Sequence, residues 1–509
     1  MELFFVLLSL CLFFILKACL NNVLLGFPNR RFRKLPPGPR GLPLIGNLLM
    51  IGDRPHESLT ELAKIHGPLM TVKLGFATTV VASSAEMAKE IFQKNDRACM
   101  GRAIPDAVTA ETDHHLSLVW SSGGPHWTNL RKLCNTQLFT AQRLDQLQHL
   151  RHQIMDNMVS HVAEARDAKE GIFVGRLVFG TSLNLLSNTM FSGAMLDAKS
   201  DAMKELKVLM ARIMELAGRP NLADCFPFLR RFDPQGIRRE IKVSYDRLHE
   251  LLEDMIDQRM KRRASGSPRC GDFLDVLFDH SEKHGDEFDR RNINILLSDL
   301  FIGGTDTTST TIEWAMTELL RNPTIMAKAK TELALTIGSK RSIQEQDLPK
   351  LPYLDAIIKE TMRLHPTAPL LLPHRAETEV EVCGYTIPKH TQILVNAWSM
   401  AQDASYWVQP KNFIPERFLS SDVDFVGKNF AFIPFGARRR ICPGLGLGIR
   451  MLKLVLANLL YHFDWKLPNG MLPQELDMQD KFGVTLQKAI PLVAIPVAVA
   501  AAIPLKSEK

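Results

Sequence analysis

The sequence predicts a mainly α-helical protein with a minor β part: a membrane anchor helix over residues 1–27, a basic and proline-rich hinge over 28–40, and one large domain over 41–509. Three observations carry this. Residues 3–16 are apolar except for Ser9, helical periodicity dominates the body, as at residues 206–216 and 245–260, and β-type patterns occur only near residues 69–81 and 380–395. No low-complexity linker and no internal repeat divides the body.

The N-terminal run continues, after Lys17, as a mostly apolar stretch over residues 18–27, which together matches one bilayer thickness of helix. Lys17 can snorkel toward an interface. Glu2 stands where a cleaved signal would carry a basic cluster, and no small-residue cleavage site follows, so the span is retained. Arg30, Arg31, Arg33 and Lys34 follow it, placing the rest of the chain on the cytosolic side by the positive-inside rule. Leu35-Pro36-Pro37-Gly38-Pro39 then forms a stiff, non-helical spacer.

Composition narrows the function classes. At 46% hydrophobic and 23% charged residues, the 509-residue chain is too apolar for disorder and too polar for a multi-span transporter. Eight cysteines without paired spacing suggest neither a disulfide framework nor a zinc ribbon, and fit a reducing compartment. The net charge of +7 is modest. Basic clusters such as Arg230-Arg231 and Lys261-Arg262-Arg263 lack interleaved aromatics and read as solvated faces, so no nucleic-acid partner is expected. Residues 262–271 read as a surface loop, and the apolar tail over 489–505, interrupted by Pro491, Pro496 and Pro504, as an extended packed or membrane-touching segment rather than a second span.

The most informative stretch is Pro434-Phe435-Gly436-Ala437-Arg438-Arg439-Arg440-Ile441-Cys442-Pro443-Gly444. Cationic neighbours favour the thiolate of Cys442, the form that attacks as a nucleophile or binds a soft metal, and glycines let backbone approach a flat ligand. A buried thiol in a turn is the plainer alternative. Elsewhere, Glu360 and Arg363 share one helix face at i, i+3, as do Trp127 and Arg131 at i, i+4. A helical stretch over 289–321, about 50 Å long and stopped by Asn322-Pro323, contains Gly303-Gly304-Thr305-Asp306-Thr307-Thr308. Paired glycines and threonines are poor helix formers, so a kink is expected there.

These motifs resemble those of the cytochrome P450 superfamily. The cysteine segment is similar to the haem-binding loop F-x-x-G-x-R-x-C-x-G at Phe435, Arg440, Cys442 and Gly444, with Arg438 standing where the family has glycine. A side chain at that position is expected to strain or redirect the loop. The resemblance implies a triangular, mostly helical domain with a β-rich side and haem b (iron protoporphyrin IX) with Cys442 as axial thiolate and metal ligand. It further implies an ion network of Glu360, Arg363 and the Arg417 of Pro415-Glu416-Arg417-Phe418, and propionate contacts from Trp127, Arg131, Arg375 and Arg440. Gly303 and Gly304 would leave room above the metal, with Asp306 and Thr307 as the catalytic proton-delivery pair. Substrate-facing segments map onto residues 104–120, 299–307, 367–372 and 484–486, with Ala368, Leu370 and Val484 as pocket wall. His114 and His115 are expected at the surface.

The implied activity is NADPH- and O2-dependent monooxygenation. With no dinucleotide fingerprint in the chain, electrons are expected from a separate NADPH-cytochrome reductase of the same endoplasmic reticulum membrane, drawn to a basic face near the haem loop. Stretches FGTSLNLLSN (179–188), GRPNL (218–222), DPQGIR (233–238) and DKFGVTLQK (480–488) look like the plant microsomal branch that includes monoterpenol (geraniol-type) hydroxylases. The expected substrate is therefore a small apolar plant metabolite of terpenoid type. Alternatives are a hydroxylase of a phenolic or alkaloid precursor, a haem-thiolate isomerase or dehydratase that needs no O2, and a membrane-tethered haem or lipid binder without catalysis.

Overall fold

The computed structural model describes residues 35–191, 201–338 and 342–499, so the anchor over residues 1–27 lies outside the described residues. Of the hinge, residues 35–40 are described and lie extended along the β-rich side, where Pro37 C=O accepts from Thr71 N–H at 2.8 Å.

After a single helical turn at Leu48–Ile51, α1 (Pro55–His66) leads into β1 (Leu69–Leu74) and β2 (Ala77–Ala82), which pair antiparallel with Leu69 opposite Ala82. They join β3 (Gly101–Arg102) through two later strands. α2 (Pro125–Leu133) starts on a proline at N1, where the missing N–H costs nothing. α3 (Gln148–Ala168) and, after the short β4 (Ile172–Phe173), α4 (Val174–Phe191) build the helical bulk with α5 (Asp201–Gly218), α6 (Ile237–Ala264) and α7 (Phe273–His284). The helical patterns read at 206–216 and 245–260 fall inside α5 and α6. The surface loop read at 262–271 begins three residues later than expected. α6 runs to Ala264, because Lys261, Arg262 and Arg263 complement the negative end of the helix dipole and Arg263 pairs with Asp279 at 2.6 Å.

At the centre lies α8 (Arg290–Arg321), capped by Asp289, whose carboxylate accepts from Asn292 N–H at 3.1 Å. It packs most extensively on α4 and also touches α6. The expected kink does not break it: the helix is continuous through Gly303 and Gly304. Its hydroxyls are returned to its own carbonyls, Thr305 to Phe301 at 2.7 Å, Thr307 to Gly303 at 2.8 Å and Thr311 to Thr307 at 2.9 Å, so they do not compete with the backbone ladder.

After α9 (Pro323–Ile337) and α10 (Pro352–Leu364) come β5 (His374–Arg375), β6 (Val380–Val382), β7 (Tyr385–Ile387) and β8 (Gln392–Val395). The five-stranded sheet has the order β1-β2-β8-β5-β3, and β6 and β7 form a separate hairpin. α11 (Leu445–His462) is the one helix among the described residues long and apolar enough to cross a membrane, but it packs against α8, α9 and α10 in the core. β9 (Phe463–Lys466) follows it, and the hairpin of β10 (Asp480–Lys481) and β11 (Gln487–Lys488) closes over α8. The apolar tail becomes β12 (Val493–Ala498), paired with β4 and β9, with Pro496 opposite Trp465.

Candidate active site

The Cys442 loop folds back on itself: Cys442 N–H donates to Phe435 C=O at 2.9 Å, and Ile441 N–H to Arg438 C=O at 3.1 Å. Closing so tight a turn needs left-handed backbone at two positions, Gly436 (φ +72°) and Arg438 (φ +59°). Arg438, exposed and in place of the family's glycine, therefore sits where an L side chain is strained. The three adjacent arginines diverge. Arg438 faces solvent, Arg439 pairs with Asp96 at 2.8 Å, and Arg440 turns inward to donate to Met100 C=O at 3.0 Å and Ser121 C=O at 2.6 Å while stacking 4.3 Å over the Trp127 ring.

The expectation that this run lowers the thiol pKa is corrected. Burial raises it, and the opposing pull comes from the Gly444 backbone N–H and from Arg131, not from residues 438–440. All six described cysteines are free, while Cys11 and Cys19 lie outside the described residues.

Cys442 opens into a cavity of about 380 Å³ between its loop, α8 and the segment before α2. Phe435, Arg440 and Gly444 line it, as do Trp127 and Arg131 on α2, Gly303, Gly304 and Thr307 on α8, and Ala368 and Val484. A methyl at Gly303 would meet nothing within 4 Å, whereas one at Gly304 would lie 2.8 Å from Leu186 Cδ1. Gly303 thus opens the cavity floor, while Gly304 lets α4 approach.

Three expected site residues, and one histidine expected at the surface, are placed differently. Asp306 does not line the cavity; its carboxylate accepts from Thr485 Oγ1 and, at 3.0 Å, from Gln487 Nε2, clamping β11 to α8. Neighbours on a helix point about 100° apart, so Asp306 and Thr307 do not converge on one point. Arg375 is not among the lining residues either: it contacts Ser122 at 3.1 Å and Glu377 at 3.2 Å. On an extended strand successive side chains alternate, and in β5 it is His374 that faces inward. Leu370 packs with Leu59, Met70 and Leu394 in a satellite core, because Leu371 adopts φ +51° and takes the cavity side. His114, expected at the surface, lines the cavity, whereas His115 is exposed.

The ion network forms as expected. Glu360 accepts from Arg363 Nε at 2.7 Å and Nη2 at 2.8 Å, and from Arg417 Nε at 3.0 Å. It fastens α10 to the segment 401–418.

Sequence reasoning missed Arg102 and His374. Arg102 is buried, donates to Val119 and Leu372 carbonyls at 3.1 Å each, and joins Arg131 and Arg440 at one end of the cavity. Burial, reinforced by its cationic neighbour Arg440, pulls the Arg102 pKa down to about 9, and burial with Arg131 pulls Arg440 down to about 10. No sequence spacing marks Arg102, because only the β3–β5 pairing brings it there. The Arg131 guanidinium has no hydrogen bond or ion pair among the described residues, so a partly desolvated cation is turned toward the cavity without an anion. Three buried or half-buried cations with no carboxylate partner among the described residues, in one cavity with a buried thiol and a floor opened by glycine, fit haem b: two propionates would satisfy the guanidinia and the sulfur would reach the iron.

The family model described as cytochrome P450 matches residues 36–492. The chain belongs to the cytochrome P450 family. It is 49% identical over 471 residues to geraniol 8-hydroxylase of Swertia mussotii, covering 92% of this chain and 95% of that protein. It is 47% identical to geraniol 8-hydroxylase of Catharanthus roseus over 468 residues, again 92% and 95% of the two chains. The structure superposes on a zebra fish cytochrome P450 solved with progesterone at a TM-score of 0.76 and 26% identity, covering 87% of this chain and 99% of the other. The protein is thus a cytochrome P450 monooxygenase with a haem-thiolate cofactor, drawing on a redox partner and acting on a small molecule.

Proposed function

We propose that this P450 hydroxylates a small terpenoid alcohol of the geraniol class. The observation that carries it is the cavity itself, walled by aliphatic groups such as Leu185, Leu186, Ile302 and Leu371 above Gly303, in a chain about half identical to two geraniol hydroxylases over most of its length. Bound haem supplies activation of molecular oxygen for insertion into a C–H bond.

The chain's own residues set the stage for it. Cys442 would supply the sulfur ligand from a loop held by Phe435 and Gly444, and Arg131, Arg440 and Arg102 would hold the propionates beside Trp127, whose indole N–H already serves Leu118 C=O at 3.1 Å. Thr307, the only one of the two expected catalytic residues facing the cavity, holds a proton on its hydroxyl against Gly303 C=O and can turn it toward the cavity. Asp306 acts as a positioning residue: by holding Thr485 and Gln487 it fixes neighbouring Val484 against the substrate space. The aliphatic walls exclude water and orient an apolar guest.

An anchor over residues 1–27 and a hinge over 28–40 would tether the 41–509 domain to the endoplasmic reticulum membrane, facing the cytosol and in contact with lipid. The NADPH-cytochrome reductase would dock on the face where Arg438 is exposed.

The test is the full chain in microsomes with that reductase. A reduced, CO-treated spectrum of thiolate type and NADPH-dependent hydroxylation of acyclic monoterpenols are expected. Product formation without NADPH, or turnover of phenolics or benzylisoquinolines with none of terpenols, overturns the reading.

A further inference from the structure

At the end of the cavity toward the N-terminus of α8, the aliphatic wall gives way to a polar cluster that neither haem nor oxygen chemistry needs. Glu111, Tyr245 and His249 all line the cavity there. His249 Nε2 lies 3.3 Å from Glu111 Oε2, yet this nitrogen is buried and makes no aligned hydrogen bond. The neighbouring Tyr245, its ring 6.1 Å from the imidazole, is buried, and its hydroxyl has no hydrogen-bond partner among the described residues. Buried polar groups are ordinarily partnered, so a buried imidazole nitrogen without an aligned partner, beside a phenol that lines the same cavity, marks a place where a ligand group completes the set.

The cluster is rigidly mounted. Glu111 Oε1 accepts from Asp113 N–H at 3.0 Å, and Asn294 Nδ2 donates to His249 C=O at 3.2 Å and to Glu253 Oε1 at 2.8 Å, locking α6 to α8. Asp299 does not compete for a ligand, because its carboxylate already accepts from Ser117 Oγ at 2.9 Å and Leu118 N–H at 2.7 Å.

We infer that Glu111, His249 and Tyr245 form a hydroxyl-reading subsite that takes the alcohol group of the substrate and so presents its opposite, hydrocarbon end at Gly303 beside the Cys442 end of the cavity. This rests on the terpenol reading above and adds to it which end of the molecule is held and which is oxidised. The chemistry matches: an alcohol donates once and accepts, and the carboxylate accepts while the imidazole or phenol donates. The length matches as well. His249 is bonded at the level of Asn294, and nine residues of α8 separate that level from Gly303, about 14 Å along the axis. An extended acyclic terpenol bridges most of this span, with side-chain reach at either end closing the rest.

The experiment compares an acyclic ten-carbon terpenol with the hydrocarbon lacking only its oxygen, using substrate-induced spectral shifts and product regiochemistry in the full-length holoenzyme. The wild type is expected to bind the alcohol at least tenfold more tightly, because the analogue leaves the subsite's polar groups unpaired. H249L and E111Q, each accepted only with an intact thiolate-type CO spectrum, are expected to erase that preference, leave hydrocarbon binding within twofold, and spread oxidation over several carbons. Equal wild-type binding of alcohol and hydrocarbon overturns the subsite while the terpenoid class stands, and that comparison decides the matter even if a variant fails to fold. Loss of both ligands in parallel in the variants also overturns it. Failure of the wild type to bind either compound overturns the terpenol reading itself.

Discussion

Replacing Glu360 by glutamine tests whether the ion network holds the thiolate side of the molecule together. Glu360 and Arg363 are both fully buried, and all five guanidinium N–H groups of Arg363 are engaged. Two go to the Glu360 carboxylate, at 2.7 and 2.8 Å, and the others to the carbonyls of Ala401 at 2.6 Å, Pro410 at 2.7 Å and Asn412 at 3.2 Å. E360Q keeps the shape, but it strips the counterion from a buried cation and turns an amide N–H2 toward other donors. Two charge-assisted bonds are worth about 1.5–3 kcal/mol each, and breaking a buried pair by removing one partner costs about 3–5 kcal/mol. Against a total stability of about 5–15 kcal/mol, that is a fifth or more. Guanidinium unfolding of the CO-bound holoenzyme should show the midpoint falling accordingly, with haem lost on the same transition. R417A is the comparison: Arg417 gives Glu360 one bond at 3.0 Å and is partly exposed, so its removal should cost about 1–2 kcal/mol. A loss below about 1 kcal/mol for E360Q, or equal losses for E360Q and R417A, would refute the reasoning.

Three further outcomes are expected. Left-handed backbone costs an L residue about 1–2 kcal/mol and glycine returns about 0.5–1 kcal/mol of that through its freer unfolded chain, so R438G should raise haem occupancy while R438A, which keeps the Cβ, should not; equal occupancy in both discards the strain argument. Burial pushes the Asp299 pKa up to about 7, so the folded protein binds a proton there that the unfolded chain has released; stability should fall as pH rises from about 4 to about 7, and D299N should flatten that slope in unfolding titrations at fixed pH intervals. G303A should keep full haem occupancy and narrow the range of substrates accepted, whereas G304A should lower stability by about 1–3 kcal/mol because its methyl lies 2.8 Å from Leu186; thermal melts and substrate titrations with the opposite ranking would reverse these roles.

Local pattern was enough to read much of this protein. Helical periodicity found α5, α6 and α8 to within a turn or two, because amphipathic faces repeat with the helix. Spacing found the Glu360–Arg363 pair and put Trp127 and Arg131 on the one helix face that lines the cavity, because i, i+3 and i, i+4 positions share a face on any helix. The cysteine motif and its departure at Arg438 were also legible, and the positive φ there is what a missing glycine predicts.

Tertiary structure alone decided which side chains face the cavity. Asp306 and Thr307 are neighbours in the chain yet diverge by a helix angle, and Thr485 and Gln487, which capture Asp306, come from nearly two hundred residues away. His374 replaces Arg375 because strand alternation depends on which face of β5 the fold buries, and Leu371 replaces Leu370 because of one left-handed residue. The thiol's pKa was misread from charge neighbours because burial, which no local pattern records, outweighs them. Periodicity and spacing are properties of one element, whereas orientation, desolvation and the meeting of Glu111 with His249 come from how elements pack, and only the folded chain contains that information.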